Sequence, residues 1–511
     1  MKRKRLRGVL SHRLFVVWLL LMQLVLLVYL ILNGSRESKL ISSILSVLSL
    51  FAAIHVISRR DKPDYKLTWV FSILVLPIFG GLFYLMTRLQ PSARRFRKQV
   101  VRSRDAVLRR LPPRSGALEA AEKACPACGR LIEYLQRAAG FPVYPEKRTA
   151  FFNSGESYFE ALLRELQKAK RYIFIEAFIV EEGFMWGAVL EILKQKARAG
   201  VEVRVLFDDF GCFLRLPRGY RHEIQKLGIQ CEVFSPLRPA LSVLQNNRDH
   251  RKIVSIDGEI AFTGGANLAD EYINRASRFG RWRDASLLAE GGAAWSLTLM
   301  FLQMWELATG RPPLYERFMP ARPAEDASAA VAFVQPYADS PLDEENVAEN
   351  VYRQIISAAR RYLYISTPYL IVDDAMISAL ILAAKGGVDV RILTPEKWDK
   401  RLVHVTTRSY YKELIGGGVH IYEYTGGFNH AKTFVSDDCV ATVGTVNMDY
   451  RSLYLHFECG ACLYGGEAVL DIKRDFLETL SGCRRIGPDD LKAGWLKRLV
   501  REVLRIFAPL M

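Results

Sequence analysis

A tandem internal repeat is the feature that most constrains how this chain of 511 residues can fold. The following residues recur with the same type at one offset, 180 positions further along: His250, Lys252, Asp257, Gly264 and Asn267 as His430, Lys432, Asp437, Gly444 and Asn447. Five matches at a single offset are not expected by chance. They indicate two copies of one folding unit, with loops of different length between the matched segments.

Each copy has the pattern of an α/β fold. Short β-branched runs bounded by glycine, at 201–207 and 388–393, predict buried strands. Helical spacing of apolar residues precedes them at 157–169 and 345–359, and four prolines within 310–326 predict a linker between the copies. The sequence therefore predicts two tandem α/β/α sandwich domains whose repeated motifs meet at their interface.

The net charge of +17 is compatible with two polyanionic partners, a nucleic acid and an anionic membrane surface. The surplus is concentrated at 1–13, 88–110 and 484–505, so the repeat body is close to neutral. A surface that tracks nucleic-acid phosphates should be strongly basic, which disfavours a nucleic-acid binder or nuclease. The half-apolar composition excludes a disordered chain, and eight cysteines exclude a disulfide scaffold.

Three apolar segments, 14–32, 40–57 and 67–86, predict an N-terminal membrane anchor. Each approaches the roughly 20 residues that cross a hydrocarbon core. Pro77 and the pair Gly80 and Gly81 would kink or break the third helix, so two or three spans are possible. The basic N-terminus and the basic loop 58–66 favour the cytoplasmic side, and the main body is expected in the cytoplasm.

The predicted organisation has six parts. They are a membrane anchor at 1–87, a basic linker at 88–145, a first domain at 146–310, a linker at 311–330, a second domain at 331–485 and an amphipathic C-terminal helix at 486–511. This helix is compatible with packing on the domain and with lying on anionic lipid. Cys125 and Cys128 supply two of the four ligands of a structural Zn²⁺, so unpaired reduced thiols are expected there rather than a metal site.

The repeated motif carries groups suited to phosphodiester chemistry. His and Lys two positions apart on a strand share a face, so His250, Lys252, His430 and Lys432 would meet in one pocket. The lysines, with amide donors from Asn267 and Asn447, can hold nonbridging phosphate oxygens. One histidine can attack phosphorus while the other protonates the leaving alkoxide. No metal ion or cofactor is required, because the lysines supply the positive charge.

A nucleophilic histidine must be neutral and correctly oriented, which usually requires a carboxylate at its other ring nitrogen. Glu458, eleven residues beyond Asn447, is predicted to orient one histidine. The repeat alignment places Asp284 equivalently in the first copy, after a six-residue insertion. The alternative is that Asp284 and Glu458 are surface groups.

The paired motifs, followed by Gly264-Gly265-Ala266-Asn267 and Gly444-Thr445-Val446-Asn447, resemble the phospholipase D superfamily over roughly residues 150–480. The segments 282–284, 366–369, 407–411, 430–437 and 447–452 look like those of the bacterial cardiolipin synthases. This resemblance implies transfer of a phosphatidyl group between two phosphatidylglycerol molecules, with release of glycerol through a phosphohistidine. The implied partners are phosphatidylglycerol and cardiolipin in the bacterial cell membrane, and no nucleic acid.

The resemblance also suggests roles for individual residues. His250 is expected to be the nucleophile and His430 the general acid and base, while Asp257 and Asp437 support the fold more than they contact substrate. His456 departs from the asparagine that is usual in the family. Water or another alcohol stays open as the acceptor, and a catalytically inactive scaffold is disfavoured because both motifs are complete. The sequence does not decide the oligomeric state.

Overall fold

The computed structural model describes residues 36–59, 62–75, 80–81, 84, 90–111, 117–237, 243–320, 330, 332–492 and 494–511. The chain divides into two compact units. One comprises Met1–Phe96, Leu237–Asn246 and Val503–Leu510, and the other comprises Arg97–Pro236, Asn247–Glu502 and Met511.

The first unit contains the helices α1 (Arg36–Ser58) and α2 (Pro63–Val75), which pack through a small apolar cluster that includes Val56 and Ile73. The predicted apolar segment 40–57 lies within α1. Segment 14–32 lies outside the described residues, and segment 67–86 is described only in part. Among the described residues, no helix combines the length and the hydropathy needed to cross a bilayer.

The rest of the chain contains both helices and strands. The helices are α3 (Pro91–Leu108), α4 (Ala117–Ala124), α5 (Gly129–Tyr134), α6 (Gly155–Leu166), α7 (Phe184–Arg198), α8 (Asp209–Cys212), α9 (Tyr220–Gln225), α10 (Gly292–Thr309), α11 (Val347–Ala358), α12 (Asp374–Lys385), α13 (Arg401–Gly416), α14 (Tyr450–Tyr454), α15 (Gly466–Leu480) and α16 (Trp495–Ile506). The strands are β1 (Tyr144–Pro145), β2 (Thr149–Phe152), β3 (Tyr172–Ala177), β4 (Glu202–Asp208), β5 (Gln230–Phe234), β6 (Ile253–Ile256), β7 (Ile260–Gly264), β8 (Arg281–Arg283), β9 (Ser286–Glu290), β10 (Phe333–Asp339), β11 (Tyr362–Ser366), β12 (Leu370–Ile371), β13 (Asp389–Pro395), β14 (His420–Tyr424), β15 (Gly427–Asn429), β16 (Thr433–Ser436), β17 (Val440–Gly444), β18 (Met448–Asp449), β19 (Glu458–Tyr464) and β20 (Cys483–Arg485).

The first copy of the repeat forms a seven-stranded sheet in the order β2-β9-β7-β6-β3-β4-β5, in which β3, β4 and β5 are parallel. Side chains of β3 alternate between the two faces, as in any strand. Ile173 and Ile175 join a core with α6 and α7, whereas Phe174 stacks on Phe301 of α10 with ring centroids 4.8 Å apart. Helices therefore cover both faces of this sheet.

The second copy repeats this plan in a nine-stranded sheet, β1-β10-β19-β17-β16-β11-β13-β14-β20. Its parallel strands β11, β13 and β14 correspond to β3, β4 and β5 of the first copy. Ala285, Leu287 and Ala289, which share one face of the first copy, join a core with residues of β17 and β19. The predicted α/β architecture with two copies of one plan is confirmed, and the copies bury apolar surface against each other.

The cysteine prediction is wrong at Cys125, which forms a disulfide with Cys439 and is not an unpaired thiol. The two Cα atoms lie 6.1 Å apart although the residues are separated by 314 positions in the sequence. Only the tertiary fold brings the segment before the first sheet next to the turn that follows β16. Cys128 remains a buried free thiol beside this bond.

Candidate active site

The four motif side chains His250, Lys252, His430 and Lys432 are buried, each at 7% exposure or less. Contrary to the strand placement expected from their spacing, they lie in extended segments just before β6 and β16. Each segment is held by the opposite copy of the repeat. The backbone N–H of His250 donates to the carbonyl of Phe457 at 2.9 Å, and that of His430 donates to the carbonyl of Arg283 at 2.7 Å.

Each histidine is also oriented by a carboxylate from the opposite copy. Nδ1 of His250 lies 2.9 and 3.0 Å from the two carboxylate oxygens of Glu458. Nδ1 of His430 lies 2.7 Å from Oδ2 of Asp284. Both carboxylates are fully buried, so they are not the surface groups of the alternative interpretation. An Nδ1–H donated to a carboxylate leaves the lone pair on Nε2, which is the form that a nucleophile or base requires.

Burial and the nearby positive charges disfavour the protonated forms of the two histidines, and burial disfavours that of Lys432. Burial, followed by the charges of Lys252 and Lys432, lowers the pKa of His250 well below its usual value. Burial and Lys432 lower the pKa of His430 to about 4. Burial lowers the pKa of Lys432 to about 7. Burial raises the pKa of Asp284, but His430 and Lys432 outweigh this effect and the pKa is lowered overall. At neutral pH both rings are therefore neutral and Asp284 is ionised.

The two lysines differ in their contacts. Nζ of Lys252 donates to the carbonyl of His250 at 2.6 Å and lies 5.6 Å from the centre of the Phe178 ring. Nζ of Lys432 contacts the carbonyl of His430 and also lies 2.9 Å from Nδ1 of that ring. Nδ1 of His430 therefore lies within hydrogen-bond distance of both the Asp284 carboxylate and the Lys432 amine, whereas Nδ1 of His250 is held by Glu458.

The two asparagines also occupy different environments. Asn267 accepts a hydrogen bond from the backbone N–H of Ile179 at 3.0 Å and donates to the hydroxyl of Tyr272 at 2.6 Å. Asn447 is buried, and within the described part of the chain its Oδ1 has no hydrogen-bond partner. Asn447 therefore retains more hydrogen-bonding capacity for a ligand than Asn267.

The motif aspartates lie away from these histidines, at the other ends of β6 and β16. Five residues of extended chain place Asp257 about 16 Å from Lys252. The carboxylate of Asp257 accepts hydrogen bonds from the backbone N–H groups of Lys170, Arg171 and Tyr172 at 2.8 Å. Asp437 binds the equivalent three N–H groups at the start of β11. This geometry matches a fold-supporting role.

Aromatic rings and one further imidazole line the pocket, and the motifs alone did not predict their positions. Phe178 lies 5.0 Å from His250, and Trp282 lies 5.1 Å from His430, both between ring centroids. His456 lies 5.5 Å from His250. Trp282 and His456 each precede the orienting carboxylate of their own copy by two residues, so the repeat alignment was a signal that could have found them.

Comparisons with known proteins identify the family of the chain. A family pattern described as cardiolipin synthase, PLD-like domain, matches residues 162–277 and 352–480. A cardiolipin synthase of Geobacillus kaustophilus is 35% identical over 486 residues, which cover 94% of this chain and 96% of the relative. The chain belongs to the cardiolipin synthase family of the phospholipase D superfamily.

Three further similarities were found. An uncharacterized protein of Streptococcus mutans is 43% identical over 461 residues, covering 90% of this chain and 99% of that protein. A pattern described as phospholipase D-nuclease N-terminal matches residues 47–88. The phosphatidylserine synthase of Haemophilus influenzae has a similar structure, with a TM-score of 0.57 and 14% identity, covering 75% of this chain and 98% of that one. This last likeness concerns the fold alone.

Proposed function

We propose that this member of the cardiolipin synthase family transfers a phosphatidyl group from one phosphatidylglycerol to another, giving cardiolipin and glycerol. The observation that carries the proposal is the pair of buried histidines, each oriented by a carboxylate of the opposite copy and each beside a lysine. This set supplies a nucleophile, an acid and positive charge for phosphoryl transfer in one pocket.

In the first step, Nε2 of His250 attacks phosphorus and the bond from phosphorus to the glycerol oxygen breaks. His430 donates a proton to that oxygen, so glycerol leaves and a phosphohistidine remains. His250 fits the nucleophilic role because Glu458 holds its Nδ1, whereas Nδ1 of His430 is shared with Lys432. His430 fits the acid role because Asp284 stabilises its protonated ring.

The charge of the substrate prepares the pocket for this step. A phosphodiester is an anion, and placing an anion beside Lys432 and His430 favours their protonated forms. Binding therefore opposes the burial that lowers both pKa values in the free protein. Lys252 and Lys432 then hold the nonbridging oxygens as charge develops in the transition state.

In the second step, a hydroxyl of another phosphatidylglycerol gives its proton to His430 and attacks the phosphohistidine. The bond from phosphorus to His250 breaks, cardiolipin is released and both rings return to their starting state. The unpaired Oδ1 of Asn447 is suited to accept a hydrogen bond from a headgroup hydroxyl.

The proposed location is the bacterial cell membrane, with an anchor of two or three hydrophobic segments and the catalytic domains on the cytoplasmic side. Two features of the described residues support contact with lipid. Helix α1 exposes large apolar side chains, including Leu40 and Phe51. Helix α16 exposes one apolar face, formed by Trp495, Leu496, Leu499, Val500 and Val503. With its basic residues, α16 fits an interfacial helix on anionic lipid better than a helix packed on the domain.

The test is to supply the purified full-length protein with phosphatidylglycerol in the presence of a chelator. Mass spectrometry should detect cardiolipin and free glycerol in equal amounts. Phosphatidic acid without cardiolipin would instead assign a phospholipase D-type hydrolase. Cardiolipin that appears only after a second alcohol or lipid is added would assign a phosphatidyltransferase with a different acceptor or donor.

A further inference from the structure

The six-residue insertion that separates Asn267 from Asp284 breaks the symmetry between the two copies. Between those two residues lies the segment 275–281, which ends on the first residue of β8 and contains Arg275, Arg278 and Arg281 and no acidic residue. All three arginines are exposed. The guanidinium of Arg275 lies 3.4 Å from the centre of the Phe184 ring, which is itself exposed.

A second exposed segment, 397–402, which runs into the first turn of α13, lies beside the first. It contains Lys397, Lys400 and Arg401 and exposes the large apolar side chains of Trp398 (49%) and Leu402 (62%). A Cβ added at Gly280 in the first segment would lie 3.0 Å from Nζ of Lys397. We call the segments 275–281 and 397–402 together the basic rim. The acid within the rim, Asp399, accepts a hydrogen bond from the buried Tyr369 at 2.5 Å.

The basic rim adjoins the catalytic pocket. The segment 275–281 runs directly into Trp282, whose ring lies 5.1 Å from that of His430. In the other segment, the charge of Lys400 contributes to the lowered pKa of His250, after the larger effects of burial and the pocket residues. Six cations and two large apolar side chains therefore lie on segments next to the catalytic side chains.

The first copy has a similar exposed element at the equivalent edge. Phe210 and Leu214 follow β4, the counterpart of β13, and are 61% and 63% exposed. The carboxyl ends of parallel strands meet at one edge of a sheet. The repeat has thus placed an exposed aromatic and an exposed leucine after the same strand in both copies.

We propose that the basic rim docks on an anionic bilayer and holds the pocket against lipid headgroups. Exposed aromatic and aliphatic side chains are stabilised in the interfacial layer of a bilayer. The neighbouring cations are attracted by the negative surface potential of anionic lipid. A nucleic acid would use the cations, and a single strand could stack on Trp398, but it would leave the aliphatic side chain of Leu402 in water. The inference rests on the proposed function, because it takes phosphatidylglycerol as the lipid that the rim presents to the pocket.

The first test compares two variants of the full-length protein that lose equal charge. The rim variant carries Arg275→Ser, Arg278→Ser and Arg281→Ser. The control carries Lys226→Ser, Lys385→Ser and Lys412→Ser, exposed residues that lie in or just after helices leading back into the next strand. Cardiolipin formation is measured on mixed phosphatidylcholine and phosphatidylglycerol vesicles and on short-chain, monomeric phosphatidylglycerol.

On vesicles, the rim variant should show an apparent KM raised about tenfold or more, since each basic residue near anionic lipid strengthens binding several-fold. Its kcat, and its activity on the monomeric substrate, should stay within about twofold of the unmodified protein, and the difference should shrink at high salt. The control should match the unmodified protein. An equal loss on both substrates, or no loss on vesicles, would overturn the proposal.

A second measurement does not depend on turnover. Hydrogen exchange of the His250→Ala protein is followed in vesicles with and without phosphatidylglycerol. Amides of the basic rim should exchange more slowly when phosphatidylglycerol is present, and those around Lys385 and Lys412 should not change. If the rim is protected but the unmodified protein makes no cardiolipin, docking stands and the proposed reaction is wrong. If the rim is not protected but the unmodified protein makes cardiolipin, the proposed reaction stands and the docking proposal is overturned.

Discussion

The two halves of the active site follow one plan, yet they differ at equivalent positions. Glu458 has the longer side chain and receives a hydrogen bond from Thr445 as well as from His250. Asp284 is shorter and occupies space that Gly265 leaves open, because a Cβ there would lie 2.0 Å from Oδ1 of Asp284. Thr445 and Gly265 are equivalent residues of the repeat. The residue at this equivalent position therefore differs between the copies: glycine leaves room for Asp284, and threonine donates a hydrogen bond to Glu458.

The rings next to the histidines differ in the same way. Trp282 packs near His430 and cannot titrate, whereas its equivalent His456 lies near His250 and can. Lys432 contacts a ring nitrogen, and Lys252 does not. Duplication thus supplied a two-fold arrangement of groups, and local divergence made its halves unequal, as a reaction with one nucleophile and one acid requires.

Replacing either histidine by alanine should produce the largest effect, a loss of cardiolipin formation of about 10⁴-fold or more. The two variants should differ with a phosphatidyl ester of p-nitrophenol, whose leaving group needs no proton. His430→Ala should then release p-nitrophenol in a burst and accumulate phosphoenzyme, and His250→Ala should do neither. Acid-labile label on the His250→Ala protein would reverse the assigned roles.

The orienting carboxylates should come next. Glu458→Gln and Asp284→Asn keep the size of each side chain but remove the charge that holds the histidine tautomer, so each should lower kcat about 10²- to 10⁴-fold. Burst kinetics with the p-nitrophenyl ester should separate them. Glu458→Gln should slow the burst, and Asp284→Asn should slow only the later steps. Identical behaviour of both variants would show that the halves are equivalent.

The equivalent residues behind the carboxylates should respond unequally. Gly265→Ala introduces a Cβ into the Asp284 side chain, so it should displace that carboxylate and lower kcat at least about tenfold. Thr445→Ala removes one hydrogen bond to Glu458 and should destabilise the fold by about 1–2 kcal/mol with a smaller loss of activity. Thermal unfolding and steady-state kinetics of both variants measure the contrast. A milder defect in Gly265→Ala than in Thr445→Ala would contradict the geometry.

The pH dependence of kcat/KM should show the titration of Lys432. Lys432 is charged below its pKa of about 7 and neutral above it, so kcat/KM should decrease as the pH rises through about 7. kcat should be less sensitive, because bound phosphate favours the charged lysine. Lys432→Arg keeps the charge at all these pH values and should remove the decrease, even if its overall activity is lower. Persistence of the same alkaline decrease in that variant would assign it to another group.

The smallest effect is expected at His456. Its Nδ1 lies 3.8 Å from Glu458, beyond hydrogen-bond distance, so His456→Asn should change kcat by no more than about threefold. Trp282→Phe is the matched change beside His430. A loss of kcat above about 100-fold in His456→Asn would place His456 among the groups that take part in proton transfer.

Much of the fold and the composition of the site could be predicted because a repeat can be recognised directly in the sequence. The recurrence of His250, Lys252 and Asn267 one offset later predicted two copies and a shared pocket, and the strand and helix patterns within each copy predicted an α/β fold. The backbone role of Asp257 also matched the expectation from the resemblance. The prediction that Cys125 is unpaired was wrong, since local spacing carries no information about a partner 314 positions away.

The sequence by itself thus determined the duplicated architecture and the two pairs of histidine and lysine, and it offered Glu458 and Asp284 as candidates for the orienting carboxylates. Only the tertiary structure decided which carboxylate holds which histidine. The pairs are separated by 208 and 146 residues and cross between the copies, so neither copy contains a complete histidine–carboxylate pair. The physical reason is that hydrogen bonds between copies depend on how two folded sheets pack, which periodicity within either copy does not specify.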